Sequence, residues 1–258
     1  MRQLNSRLSI LDIWVDPVTK VEALERVRDF LISGNRPHSI FASNPEKNFS
    51  VPKDPELYDC YKNADLLLPD GIGVVMAARK LYDAQIERVP GAEFIFDICE
   101  FASVNDFSIF IYGAKEEVNK RSAEILADRY PTLNIAGRAN GYVQEDKMEQ
   151  LVAEINDSEA DIIFVGLGSP QQEKWFSDWS GRLNNIRVVQ GIGGTLDTIG
   201  GSVRRAPEFW CRHNLEWFYR LISEPARLKR QRVLPIFAYR VMKEWLFRTK
   251  GEIGRLDG

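Results

Sequence analysis

Short apolar runs and longer amphipathic stretches alternate along the chain. Runs rich in Val, Ile, Leu and Phe occupy residues 8–15, 39–42, 65–68, 108–112, 133–136, 161–167 and 187–190. Between them, apolar positions recur with helical spacing over 18–32, 73–82, 92–102, 116–130, 144–156 and 171–179. The runs are too uniformly apolar to leave a wet face, which predicts parallel strands covered by helices on both sides. The expected fold is α/β, with a Rossmann-like, mostly parallel sheet. In such a sheet ligands sit beyond the carboxyl ends of the strands, so the residues just after each run are the first candidates for chemistry. No internal repeat interrupts the alternation. The pattern changes near residue 204, which divides the chain into an α/β catalytic domain, 1–203, and a helical appendage, 204–258, split into shorter helices by Pro207, Pro225 and Pro235.

Charge sharpens that division. The appendage holds 13 Lys/Arg against 6 Asp/Glu, while the whole chain carries a net charge of −3, so the preceding part is acidic by about ten charges. Cationic and aromatic side chains interleave along the appendage, which suits a helix lying in the headgroup region of an anionic membrane; the acidic main body argues against nucleic acid as the partner. Docking of the appendage on its own domain is the competing explanation. No run approaches the roughly 20 apolar residues of a membrane-spanning helix, and residues 1–16 lack a signal-peptide core, which predicts an intracellular protein. Cys60, Cys99 and Cys211 are widely spaced and form no Cys-x-x-Cys pair, and the only histidines are His38 and His213. The cysteines argue against a disulfide framework or zinc site and the two histidines exclude a His-rich metal site, so acid–base work falls largely to carboxylates.

The strand ends supply the candidates. Pro69-Asp70-Gly71-Ile72-Gly73 follows an apolar run and precedes a helix. Asp70 is placed either to take a proton from a bound hydroxyl or to cap that helix, and the residues alone leave both open. Asn44, in Asn44-Pro45-Glu46, either bonds a ligand or caps the next turn. Gly113, Gly166, Gly168, Gly191, Gly193 and Gly194 end three later runs, where backbone amides can approach a ligand. Gln172 and Glu173 open the helix after Gly168, and Arg88 is suited to bidentate pairing with a diphosphate. There is no Gly-x-Gly-x-x-Gly in the first βα turn and no P-loop. A nicotinamide-dependent oxidoreductase is therefore disfavoured but stays an alternative, as does a non-catalytic membrane-associated binding protein.

Taken in order, Asn44-Pro45-Glu46, Pro69-Asp70-Gly71-Ile72-Gly73, Arg88-Val89-x-Gly91, Gly166-x-Gly168-x-Pro170-x-Gln172-Glu173, Gly191-x-Gly193-Gly194-x-x-Asp197, Arg205-Ala206-Pro207-x-x-Trp210 and Leu215-Glu216-Trp217-x-Tyr219-Arg220-x-x-x-Glu224-Pro225-x-Arg227 resemble the WecG/TagA/CpsF glycosyltransferases. The resemblance implies transfer of a hexose-type sugar (N-acetylmannosamine, its uronic acid or a glucose-like sugar) from a UDP-sugar to a polyprenyl-diphosphate-linked sugar. The setting it implies is exopolysaccharide, capsule or cell-wall polymer assembly at the inner face of the bacterial plasma membrane, with inversion and without a metal or other cofactor. It makes Asp70 the general base. It matches Asn44, Arg88 and Gln172 to conserved pocket positions; Gly71, Gly166, Gly168, Glu173, Gly191, Gly193, Gly194 and Asp197, which stand in the same motifs, are the further substrate-binding candidates. It gives Arg205, Arg212, Trp217, Arg220, Arg227 and Arg230 to the acceptor and the membrane. Two positions depart from the family pattern: Ala42 stands where a Thr is usual and Glu93 where an Asp is frequent, which leaves the donor sugar open. A homo-oligomer is compatible with the sequence but not specified by it.

Overall fold

The computed structural model describes residues 7–203, Trp210 and 232–256. Its centre is a six-stranded, all-parallel sheet in the order β4-β3-β8-β7-β5-β6. The strands are β3 (His38–Ser43), β4 (Leu66–Pro69), β5 (Ser108–Gly113), β6 (Asn134–Ala139), β7 (Ile162–Gly166) and β8 (Val188–Gly191). Five of them follow the apolar runs to within a few residues. The sixth, β6, lies at the sheet edge and is half exposed, so the expectation of strands without a wet face does not hold for it.

Residues 8–15 are not one strand of this sheet, as expected, but a separate antiparallel hairpin, β1 (Leu8–Ile10) and β2 (Ile13–Val15), with Ile10 opposite Ile13. The turn between them places Leu11 at φ 57°, a conformation that a leucine does not advertise.

Successive strand residues point to opposite faces, and the core divides accordingly. Ile40, Leu66, Leu68, Ile109, Ile162 and Val188 pack under α1 (Lys20–Ser33), α5 (Gly91–Val104), α6 (Glu116–Arg129) and α9 (Thr195–Ile199). Phe41, Leu67, Phe110, Ile163 and Val189 pack under α3 (Pro55–Asn63), α7 (Met148–Asp157) and α8 (Gln171–Trp179). Helix starts follow local chemistry: Thr19 and Glu22 form a reciprocal capping box on α1, and Asp54 caps α3 with Pro55 at its first position. A one-turn helix, α2 (Lys47–Ser50), follows β3.

The connection from β5 through α6 runs outward to β6, whereas that from β7 through α8 runs the other way to β8. A crevice at the carboxyl ends is expected where such connections diverge. Here β5 and β7 approach so closely that a Cβ on Gly113 would lie 2.4 Å from the Gly166 carbonyl oxygen.

The last described helix, α10 (Val233–Leu256), docks against α4 (Ile72–Tyr82) and the hairpin. Phe237 is buried there beside Val74, Ala78 and Ile10. Arg240 pairs with Asp12 at 2.7 Å, and the Lys80 ammonium sits 3.5 Å above the Trp245 ring. Docking on its own domain is thus realised for this part of the appendage. The same helix leaves Ile236, Tyr239, Met242, Leu246 and Phe247 exposed.

Candidate active site

β4 is buried along its whole length and delivers Asp70 to the carboxyl edge. The Asp70 N–H donates to the carbonyls of Leu68 (2.9 Å) and Ser43 (3.1 Å), which pins its backbone between β4 and β3. The residue capping α4 is Gly71, which has no side-chain bond to offer, so Asp70 does not serve as the helix cap. Its Oδ1 instead accepts the Gly91 N–H at 3.2 Å. Arg88 Nε donates to the Asp70 carbonyl at 3.0 Å, and the Val89 N–H donates to Pro69 O at 2.9 Å. Residues 88–91 form a strap across the end of β4.

Asn44 lies on the other side. A Cβ on Gly71 would come within 3.1 Å of Asn44 Cβ and 2.7 Å of Pro45 Cδ, so the two motifs touch. Asn44 Oδ1 accepts the N–H groups of Glu46 (3.1 Å) and Lys47 (3.3 Å). That is the capping use, realised at a site residue.

The second half of the site is built on β8 and β7. Gln172 is buried, not on a surface turn: its Oε1 accepts the Gly193 N–H at 2.8 Å and its Nε2 lies 3.4 Å from Glu173 Oε1. Gly191 is required beneath it, since a Cβ there would sit 2.6 Å from Gln172 Nε2. Gly168 (φ 78°) and Gly193 (φ 56°) adopt left-handed backbone that favours glycine, and a Cβ on either would meet nothing within 4 Å. Both therefore border open space at the strand ends. Asp197, in the first turn of α9, approaches the Gly194 position and accepts from Ser202 Oγ at 3.1 Å. Gly166 is buried, with Leu196 and the Gly193 carbonyl packed against it.

Glu173 has no exposed surface. Its Oε1 engages Lys47 Nζ (3.2 Å) and the Tyr61 hydroxyl (3.4 Å), while Oε2 has no hydrogen-bond partner among the described residues. Lys47 Nζ also contacts Ser169 Oγ, so one ammonium ties the loop after β3 to the loop after β7. Burial, reinforced by the charges of Glu173 and Asp70, pushes the Tyr61 phenol well above its ordinary pKa. It stays protonated and donates to Ala42 O at 2.9 Å. Burial likewise raises the Cys60 thiol to about 11, which removes it as a nucleophile.

The sheet order makes these halves neighbours, because β3 lies between β4 and β8 and β8 adjoins β7. Asn44, Asp70, Gly71 and Arg88 gather at the carboxyl ends of β3 and β4; Gly166, Gly168, Gln172, Glu173, Gly191, Gly193, Gly194 and Asp197 gather at those of β7 and β8. Two residues of the site escaped the sequence reading. Lys47 stands one residue past a quoted motif, and Gln190 is a lone amide closing the apolar run Val188-Val189; each was a signal of the kind that marks a buried polar contact. Arg205, Arg212, Trp217, Arg220, Arg227 and Arg230 lie outside the described residues. Among the described residues, no three His, Cys, Asp or Glu side chains gather as a metal-binding group.

Residues 8–251 match the model of the glycosyl transferase WecG/TagA/CpsF family. Among similar proteins is an N-acetylglucosaminyldiphosphoundecaprenol N-acetyl-beta-D-mannosaminyltransferase of Bacillus subtilis, 38% identical over 201 residues, covering 78% of this chain and 77% of that protein. A protein with the same activity in its name from Bacillus spizizenii is 34% identical over 209 residues, 81% of this chain and 80% of its own. Another from Staphylococcus aureus is 30% identical over 244 residues, 94% of each chain.

Proposed function

The chain belongs to the WecG/TagA/CpsF family of glycosyl transferases, and on that premise we propose that it moves N-acetylmannosamine from its UDP derivative to undecaprenyl-diphosphate-linked N-acetylglucosamine. The activity named for its relatives supports both sugars. The observation that carries the chemistry is the Asp70 carboxylate, held at the end of β4 by the Gly91 N–H with Arg88 on its own carbonyl.

In a single displacement the acceptor hydroxyl attacks the anomeric carbon and UDP departs from the opposite face, so the configuration inverts. Asp70 takes the hydroxyl proton as the new C–O bond forms, a contribution of about 10²–10⁴-fold in rate, and later releases it to solvent. Charge growing on the departing diphosphate is met by Arg88 and by backbone N–H groups of the loops at Gly168 and Gly193, fixed donors that need no reorganisation. Turnover is accordingly expected to persist in EDTA; loss in EDTA with recovery on adding Mg²⁺ would contradict this part of the reading.

The acceptor is a lipid, and no helix among the described residues is long and apolar enough to cross a membrane. We assign the appendage to peripheral binding: the exposed apolar side chains of α10 meet the lipid while the basic residues of 204–258 meet anionic headgroups. Sedimentation with anionic liposomes should weaken as salt rises and be lost on truncation after Ser202.

The decisive test is a donor screen: UDP-N-acetylmannosamine, its uronic acid and UDP-glucose, each with a short-chain lipid-diphosphate N-acetylglucosamine. N-acetylmannosamine transfer is expected to dominate; preference for another sugar would replace the donor assignment and leave the fold-level reading in place.

A further inference from the structure

Gln190 stands where the pattern of its strand calls for an apolar side chain. It follows Val188 and Val189 in β8, is level with Ile40 of β3 and Phe164 of β7, and is fully buried. Its Nε2 donates to the Gly91 carbonyl at 3.1 Å, while its Oε1 has no hydrogen-bond partner among the described residues. A buried acceptor left unsatisfied destabilises a fold, and an apolar side chain of the same length would leave none. Stability alone therefore does not account for the amide.

What it holds is the first residue of α5. The N–H of a residue in that position has no intrahelical partner, and that of Gly91 goes to Asp70 Oδ1 at 3.2 Å. The backbone of one glycine thus links two side chains: Gln190 holds its carbonyl, and its N–H holds the carboxylate of Asp70. Gly91 has no side chain of its own to fix it; a Cβ there would lie only 3.7 Å from Ala42 Cβ and 4.0 Å from Gln190 Nε2, ordinary contacts. An uncharged anchor also adds no charge beside the carboxylate, as a lysine or arginine would.

We infer that Gln190 is a positioning residue for proton transfer, orienting the Asp70 carboxylate by anchoring Gly91 at the start of α5. The inference rests on Asp70 being the base proposed above, and it goes beyond that proposal by naming a side chain that does not touch substrate.

Two substitutions cut the link at different points. Gln190→Met keeps the length of the side chain and removes the donor. Gly91→Pro removes the N–H and sets the ring Cδ in its place against Asp70 Oδ1, so it cuts the link and displaces the carboxylate, at a first helical position where proline is favoured and after a residue, Pro90, whose extended ψ of 125° tolerates a following proline. Each is to be measured alone and combined with Asp70→Asn, using single-turnover transfer to a short-chain lipid-diphosphate acceptor, donor KM and melting temperature. The expected result is a fall in kcat of about 10–100-fold in each single variant, with KM within about twofold and the melting temperature preserved, and no further loss on the residual rate of Asp70→Asn, because residues acting through one another are not additive. Full kcat in both single variants alongside an inactive Asp70→Asn protein would overturn the positioning role and leave the base in place. So would an undiminished loss in the Asp70→Asn background, or a loss of kcat that merely follows a falling melting temperature. An Asp70→Asn protein as active as the wild type would overturn the base and the positioning role with it.

Discussion

The two edges of the parallel sheet treat their carboxylates differently. At the amino edge, Asp65 is saturated: Arg36 binds it at 2.5 Å, and the Ser39 N–H at 2.9 Å, with His38 beside it. Asp161 accepts both the N–H and the hydroxyl of Ser108, at 2.8 and 2.9 Å. These groups clamp strand starts. At the carboxyl edge, Glu173 Oε2 and the amide oxygen of Gln190 are buried without partners among the described residues, and the neighbouring glycines border open space. The carboxylates of the amino edge are engaged at strand starts, whereas the carboxyl edge keeps buried polar atoms without partners among the described residues. The difference teaches where chemistry belongs in this fold better than any single motif does.

The comparison can be broken at either edge. The largest effect is expected from Lys47→Met, which leaves the Glu173 carboxylate buried without its cation; removing one partner of a buried pair costs about 3–5 kcal/mol. Urea unfolding should show the loss, and a change below about 1 kcal/mol would mean that the pair is not the link between the loops. Next, Arg88→Ala should lower kcat about 100-fold, or about 2.7 kcal/mol, while the melting temperature stays within a few degrees, if Arg88 serves transfer as proposed. Smallest is Asp65→Asn, expected to cost about 1.5–2 kcal/mol of stability with transfer within about twofold of normal. Burial alone would raise the Asp65 carboxyl, but the Arg36 and Ser39 bonds outweigh it and hold the carboxyl below its usual value. Its charged-state stabilisation is therefore present at neutral pH and lost as pH falls below about 4, the unfolded value. The melting temperatures of Asp65→Asn and wild type should converge as pH drops through that range, and a constant gap would contradict the assignment.

Much of this organisation is legible in the sequence for physical reasons. Buried parallel strands must be apolar on both faces, so β3, β4, β5, β7 and β8 announce themselves, and their order of punctuation by Asp70, Gly168 and Gly193 marks the carboxyl edge. Helix α3 lies outside the segments of helical periodicity, a pattern that passes over so short an element; only the Asp54 cap and Pro55 mark its start. The break in residues 8–15 was not announced, because its turn rests on Leu11 at positive φ and no glycine or proline marks it. At the site, the touching of residues 44–45 by Gly71 and the strap of residues 88–91 are tertiary facts that join motifs far apart in the chain. Lys47 and Gln190 were hidden for the same reason: a single polar residue beside an apolar run acquires meaning only when its partner, Glu173 or Gly91, is brought next to it.

The central claim is that the Asp70 carboxylate removes the acceptor proton. Single-turnover transfer from UDP-N-acetylmannosamine to a short-chain lipid-diphosphate N-acetylglucosamine by Asp70→Asn protein, with UDP affinity and melting temperature measured on the same sample, tests it most directly. The account predicts a rate lower by about 10²–10⁴-fold with UDP binding and melting temperature unchanged; a rate within a few-fold of the wild type would contradict it.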